Sequence, residues 1–235
     1  MLMRPCLYRK AEPIPYDKSV VCLVLLLLLV YTAIFTIATS SGRIWWQVNL
    51  GLSWEGILQG KVWQLLSYAW LHAGWLHIIV NLCMLWFLGN KVLMILGRKK
   101  AFEVIIAGIL LGGLLHLLMS MVAILSGYGE SCLVGISGAC FALLMALIAI
   151  SPHTRLRFIP VSGKNLGLGV VIAEAVMLLL HPSLGVPVLS AIGDQLVLLG
   201  AGALFRISHA CHLGGAIAGW WIARRVLAPV AVSQQ

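Results

Sequence analysis

The chain has 235 residues, 61% of them hydrophobic and 10% charged, with a net charge of +9. Soluble domains of this size carry about a quarter charged residues, so the composition excludes an ordinary soluble domain and points to repeated crossing of a membrane. The basic residues stand between apolar runs, not in a patch with interleaved aromatics, which argues against a nucleic-acid surface.

In chain order, residues 1–19 are polar and basic and read as a cytoplasmic tail. About 20 apolar residues cross a bilayer as a helix, and residues 20–39 form the first such run. Its apolar core exceeds the usual length of a signal and no clear small-x-small cleavage site follows it, so it reads as an anchor and not a removed signal. Residues 40–71 are too polar and broken to span, yet hold Trp45, Trp46, Trp54, Trp63, Tyr68 and Trp70. Aromatics at that density suit the headgroup region, which predicts a large loop lying partly in the interface. Apolar runs at 74–96, 101–125, 137–151, 166–181 and 209–226 bring the number of spans to six, and residues 227–235 read as a second cytoplasmic tail. The expected fold class is an all-α polytopic membrane protein, with one six-helix membrane domain over residues 20–226 and a large interfacial loop after its first helix.

With the N-terminus inside, Arg4, Arg9, Lys10, Lys18, Lys91, Arg98, Lys99, Lys100, Arg155, Arg157, Lys164, Arg224 and Arg225 fall on the inner side, thirteen of the sixteen Lys and Arg. Arg43, Lys61 and Arg206 fall outside. This bias fits the positive-inside rule with both termini cytoplasmic. The six cysteines lack Cys-x-x-Cys spacing; Cys22, Cys83, Cys140 and Cys211 lie in apolar segments, Cys6 in the tail and Cys132 in an outer loop. They read as packing residues, and no metal or other cofactor is expected.

Polar residues inside spans are costly and each needs a reason. Span two carries His77 and Asn81, four apart on one helical face, preceded by His72; span four opens Gly135-Ile136-Ser137-Gly138; span six opens His209-Ala210-Cys211-His212. Even spans run from outside to inside, so Asn81, Ser137 and His212 share one depth in the outer half. Pro152 ends span four early, leaving roughly 21 Å of helix against about 30 Å of hydrocarbon. Ser137 then lies roughly 9 Å below the outer surface. The irregular backbone at Gly135 must be shielded from lipid, with water reaching the serine through a cavity.

A serine hydroxyl needs a base, and histidine is the usual one. Free N–H groups at a helix N-terminus, with donors such as His77 and Asn81, can hold an oxyanion. Gly138 leaves room beside the serine, and Gly215 and Gly219 form a small-xxx-small face that lets span six approach span four. His212 is favoured as the base over His209, about 4.5 Å nearer the surface, because that packing face follows it. His209 reads as a hydrogen-bonded boundary residue, as do His153 and His181 beside Pro152 and Pro182. His116 and Glu174, on odd spans, are expected at mid-depth or deeper, away from the other polar residues and satisfied by neighbours.

The combination of His-Ala-Gly-Trp-Leu-His-Ile-Ile-Val-Asn over residues 72–81, Gly-Ile-Ser-Gly over 135–138 and His-Leu-Gly-Gly-Ala-Ile-Ala-Gly over 212–219 resembles the rhomboid intramembrane proteases. The resemblance implies a Ser137–His212 dyad without an acid, an oxyanion site from His77, Asn81 and the Ser137 N–H, and His72 bracing the outer loop. Trp63 matches an aromatic found there in the family. Three positions depart: Gln64 where an Arg is common, Leu93 where Gly89 and Gly97 would flank a Glu, and Phe141 where a Tyr stacks on the histidine. These put loop anchoring and rate in question more than activity. The implied reaction is serine-type hydrolysis in or near the membrane helix of a single-pass substrate, with a small residue at the cut. The implied setting is a bacterial inner membrane. Span five and residues 182–208, with Gly185, Pro187, Gly193 and Gly200, are expected to gate entry. A silent rhomboid-like client-binding protein is the alternative, followed by a small transporter, against which the absence of internal repeats counts. A zinc protease would need His-Glu-x-x-His. An aspartyl protease would need two membrane carboxylates, whereas Asp17 lies in the tail and Asp194 in an outer loop.

Overall fold

The computed structural model describes residues 16–155 and 160–232 and contains no β-strand among them. The tail before residue 16, with Cys6, and Arg157 lie outside the described residues. In chain order the helices are α1 (Lys18–Ile37), α2 (Ser40–Leu50), α3 (Trp54–Leu58), α4 (Gln64–Ser67), α5 (Trp75–Met84), α6 (Asn90–Leu96), α7 (Arg98–Leu125), α8 (Ser137–Ile150), α9 (Gly163–Leu179), α10 (Pro187–Leu198) and α11 (His209–Val232). A π-helical turn, Leu85–Gly89, joins α5 to α6. Length and composition make α1, the Trp75–Leu96 stretch and α7 long and apolar enough to cross a membrane, while α8 and α10 are shorter apolar helices.

α1 begins where Asp17 accepts a hydrogen bond from the Ser19 N–H at 2.7 Å. The Asp17 N–H donates to Asn90 Oδ1 at 2.8 Å, which ties the start of α1 to α6. Its carboxylate also meets Arg98 at 3.1 Å. The Ser19 bonds, with Arg98 behind them, hold the Asp17 carboxyl below the usual carboxylate range.

The core sits where α7, α8 and α11 meet, with Val104, Ala139, Cys140, Ala142, Leu143 and Cys211 buried. Glycine makes this contact possible. A Cβ added at Gly215 would stand 2.0 Å from the Gly138 carbonyl oxygen, and one at Gly219 would stand 1.9 Å from that of Ala142. The two backbones therefore touch without side chains between them, the arrangement that small-xxx-small spacing permits.

Four stretches differ from the sequence expectation. Residues 40–71, expected as one large loop, contain α2, α3, α4 and a 3-10 turn, with α3 and α4 lying against α7. Trp54 Nε1 donates to the Leu117 carbonyl at 2.6 Å, and Tyr68 Oη to that of Ile109 at 2.7 Å. Gln64 does not loosen this segment: fully buried, it accepts from the Ser53 N–H at 3.3 Å and donates to the Val48 carbonyl at 3.0 Å. Residues 182–208 contain a helix, α10, with 3-10 turns around it. α9 starts three residues early because Ser162 Oγ caps it through the Asn165 N–H at 3.3 Å. α11 continues to Val232, through much of the expected C-terminal tail. Cys140 and Cys211 are buried packing residues as expected, but Cys22 and Cys83 are exposed on the helix surfaces.

Replacing Gly219 by Ala should force α11 away from α8 and cost about 1–3 kcal/mol, read as a lower thermal midpoint in detergent. Gly169→Ala, on α9 with nothing near its added Cβ, should leave the midpoint unchanged or raise it. Equal midpoints for both variants would refute the close-packing account.

Candidate active site

Ser137 is placed from both sides of its chain. Before it, Leu133 exchanges two main-chain hydrogen bonds with Leu52, at 3.0 and 2.9 Å, and the Gly135 N–H donates to the Tyr68 carbonyl at 2.9 Å. Gly135 has φ +115, and a Cβ there would lie 2.6 Å from His77 Cε1, so conformation and space both require glycine. Ser137 then opens α8, whose N-cap residue Ile136 makes no side-chain cap bond. The Ser137 N–H stands at the very start of α8, before the Ala139 N–H, which already donates to the Ile136 carbonyl at 3.0 Å.

His212 arrives on α11. Ser208 Oγ accepts from the Cys211 N–H at 3.3 Å and starts that helix. The structure brings His212 Nε2 to 3.0 Å from Ser137 Oγ. Phe141, one turn along α8, stacks on the imidazole with ring centroids 4.0 Å apart and planes 10° from parallel. Ser137 is 9% exposed and His212 8%, so the pair is screened from bulk water without being sealed.

His209 does not face the serine. Its Nε2 donates to the Leu204 carbonyl at 3.0 Å, and its Nδ1 lies 2.6 Å from Glu174 Oε2. Glu174 overturns a sequence expectation: it is not apart from the other polar residues, since its Oε1 also lies 3.1 Å from His212 Nδ1. The earlier start of α9 moves Glu174 from mid-helix to the last third, level with the start of α11. His116 is satisfied by neighbours, with Nδ1 2.9 Å from Ser208 Oγ and Nε2 donating to the Ser131 carbonyl at 3.1 Å. Those partners put it beside the start of α11 instead of deeper. His181 caps the turn after α9 through Ser183 and donates to the Phe205 carbonyl at 3.1 Å.

His77 and Asn81 on α5 adjoin the Gly135 turn. A Cβ on Gly135 would meet His77 Nε2 at 2.7 Å and Asn81 Nδ2 at 3.7 Å. Asn81 Nδ2 is a buried donor with no hydrogen-bond partner among the described residues, a state that is costly unless an acceptor arrives. His77 Nδ1 receives the Ala73 N–H at 3.5 Å, which leaves the ring proton on Nε2. His72 makes ring contacts: it stands edge-on to His77 at 5.1 Å and to Tyr31 at 6.3 Å. Burial, and then His77 beside it, pushes its pKa down to about 3, so its ring is neutral at physiological pH. Trp63 Nε1 donates to the Asn49 carbonyl at 2.8 Å and fastens α2 to the turn before α4.

Glu174, His209 and His212 also have the donor types of a zinc site, with ligand atoms within 4.8 Å of one another. In this geometry those atoms are engaged with each other. Sequence reasoning passed over Glu174, although two signals pointed to it. A lone carboxylate in an apolar helix needs partners, and His209 and His212, three apart, share a helix face that one carboxylate can bridge.

Compared with known proteins, the chain matches a model of the Rhomboid domain over residues 59–229. Rhomboid protease GlpG of Salmonella choleraesuis is 27% identical over 107 residues, 46% of this chain and 36% of that protein. GlpG of Salmonella newport matches to the same extent. RHOMBOID-like protein 5 of Arabidopsis thaliana is 35% identical over 91 residues, 39% of this chain and 28% of that protein. The chain thus spans at most 36% of the length of these relatives.

Gly135→Ala should strain the turn and push His77 aside. We expect fluorophosphonate labelling of Ser137 to slow about ten-fold or more while the thermal midpoint stays within a few degrees. Unchanged labelling would show that the Gly135–His77 contact does not matter to serine reactivity.

Proposed function

The chain belongs to the rhomboid family, and from that premise we propose that it is a serine endopeptidase that hydrolyses peptide bonds in or near the membrane helices of single-pass proteins. The observation that carries the proposal is the 3.0 Å contact between Ser137 Oγ and His212 Nε2 under the Phe141 ring. His212 takes the hydroxyl proton as Ser137 Oγ attacks the substrate carbonyl carbon. The developing oxyanion is received by the Ser137 N–H, Asn81 Nδ2 and His77 Nε2–H, of which Asn81 Nδ2 has no acceptor of its own among the described residues. His212 then gives its proton to the leaving amine. A water molecule, activated by the same ring, releases the acyl group from Ser137.

In this reading the spans are α1, α5 with α6, α7, α8, α9 and α11, with both termini on the cytoplasmic side, as the basic residues indicate. The site lies in the outer half of the bilayer. α9 and the segment through α10 form the gate through which a substrate helix reaches Ser137. The substrate must unwind locally, because a helical carbonyl is engaged in its own hydrogen bond.

A model single-pass substrate and a fluorophosphonate probe, applied to the wild type and variants in detergent, test the chemistry. Ser137→Ala should abolish both cleavage and labelling. His212→Ala should lower kcat by about 10³-fold or more, and Asn81→Ala by about 10–10³-fold. His209→Ala should keep measurable cleavage. A wild type that neither cleaves nor labels would favour a silent client-binding protein. Cross-linking α9 to α5 should block cleavage of the membrane substrate while the small probe still labels Ser137. Unchanged cleavage in the cross-linked protein would remove the gate.

A further inference from the structure

Glu174 has no role in a two-residue mechanism, yet its carboxylate lies against the histidine that faces the nucleophile. Oε1 is 3.1 Å from His212 Nδ1 and Oε2 is 2.6 Å from His209 Nδ1. The three side chains are little exposed, at 15%, 10% and 6% for Glu174, His212 and His209. On the serine-protease reading given above, we propose that Glu174 is the positioning residue of His212, so that the site is a Ser137–His212–Glu174 triad completed from α9, with His209 holding the carboxylate.

The hydrogen-bond inventory carries the case. The Leu204 carbonyl can only accept, so His209 Nε2 bears a proton. Across the 2.6 Å contact from His209 Nδ1 to Glu174 Oε2 there is one shared proton. It belongs either to an imidazolium facing a carboxylate or to a carboxylic acid facing a neutral ring. In both states Glu174 Oε1 remains an acceptor. The Nδ1 of His212 must then carry a proton, and in the neutral ring Nε2 is the bare nitrogen. That is the tautomer a base needs when Nε2 faces Ser137 Oγ at 3.0 Å. Phe141 fixes the plane of the ring, and Glu174 fixes its rotation within that plane. When His212 takes the serine proton, the adjacent carboxylate stabilises the imidazolium in surroundings where water screens little. No bond to Glu174 forms or breaks, and its part is orientation and charge.

His209 gives the arrangement its specificity. A single carboxylate on an apolar helix is expensive, and one partner would leave one of its oxygens without a hydrogen bond. Three residues apart at the start of α11, His209 and His212 present two ring nitrogens to the two oxygens. Glu174 is thereby held across the α9–α11 contact with neither oxygen orphaned.

The test compares Glu174→Leu, Glu174→Gln and Glu174→Asp with the wild type, using kcat and KM for a model substrate, thermal midpoints and 15N-histidine NMR. For Glu174→Leu we expect kcat to fall about 10–10³-fold, with KM within about three-fold. Glu174→Asp should restore part of the loss. In the wild type His212 should show the Nδ1–H tautomer, and in Glu174→Leu a mixture or the opposite one. If Glu174→Leu does not fold, Glu174→Gln, nearly isosteric, takes its place: it should fold, lose kcat and show a changed His209 signal. A folded Glu174→Leu or Glu174→Gln variant with kcat within two-fold and an unchanged His212 tautomer overturns the proposal. The protease reading itself stands or falls separately on Ser137→Ala. If that variant still cleaves, the parent reading has failed, whatever Glu174 does.

Discussion

With a Cβ at Gly215 falling 2.0 Å from the Gly138 carbonyl oxygen, α8 and α11 approach as closely as two helix backbones can. Gly138 directly follows Ser137, and Gly215 stands three residues after His212. The contact therefore sets the separation of the serine and the histidine without any help from their own side chains. α7 closes the same joint from behind: a Cβ on Gly112 would strike the Cys211 carbonyl oxygen at 2.8 Å, and one on Gly108 that of Gly138 at 2.9 Å. Backbone contacts of this kind cannot re-pack by changing rotamers, as a leucine core can. The distance between Ser137 and His212 thus inherits the stiffness of three helix axes.

The second constraint comes from outside the trio. α8 begins in irregular backbone whose polar groups must be satisfied away from water. The Leu52–Leu133 pair and the Gly135–Tyr68 bond do this with main-chain donors and acceptors. Tyr68 is itself fastened to the α7 carbonyl of Ile109. The helical segment after α1 is therefore part of the frame that positions Ser137. Gln64 carries out its anchoring with an uncharged amide held by two backbone groups, so no charged side chain is needed at this position to hold the segment.

The serine, the favoured histidine and the packing glycines could be read from the sequence because each stands in a short local motif, Ser137 beside Gly138 on α8 and His212 just before Gly215 and Gly219 on α11. Helical periodicity turns such spacing into geometry. Glu174 could not be read in the same way. It is 38 residues from His212 on a different helix, and its depth depended on where α9 begins, which the Ser162 cap moved by three residues. A hydropathy run locates the middle of a span better than its ends, and one helical turn decides which layer a polar side chain joins. The helices within residues 40–71 and α10 escaped for a related reason. α3 and α4 are held by contacts with α7, and α10 by the 3-10 turns on either side of it, more than by their own periodicity.

Of the residues on α9, Gly163 and Gly167 are the buried ones, so this helix leans on the trio without interlocking with it. Elements with so little burial open locally at a small fraction of the global unfolding free energy. An outward excursion of α9 stretches the Glu174 contacts to His209 and His212 while the apposition of Ser137 and His212, fixed by α8 and α11, stays intact. Distance and charge balance at the histidine are in this sense independent coordinates. One is governed by the joint of α7, α8 and α11 and the other by a less buried helix, which would leave amide exchange along α9 faster than along the helices that carry the serine and the histidine.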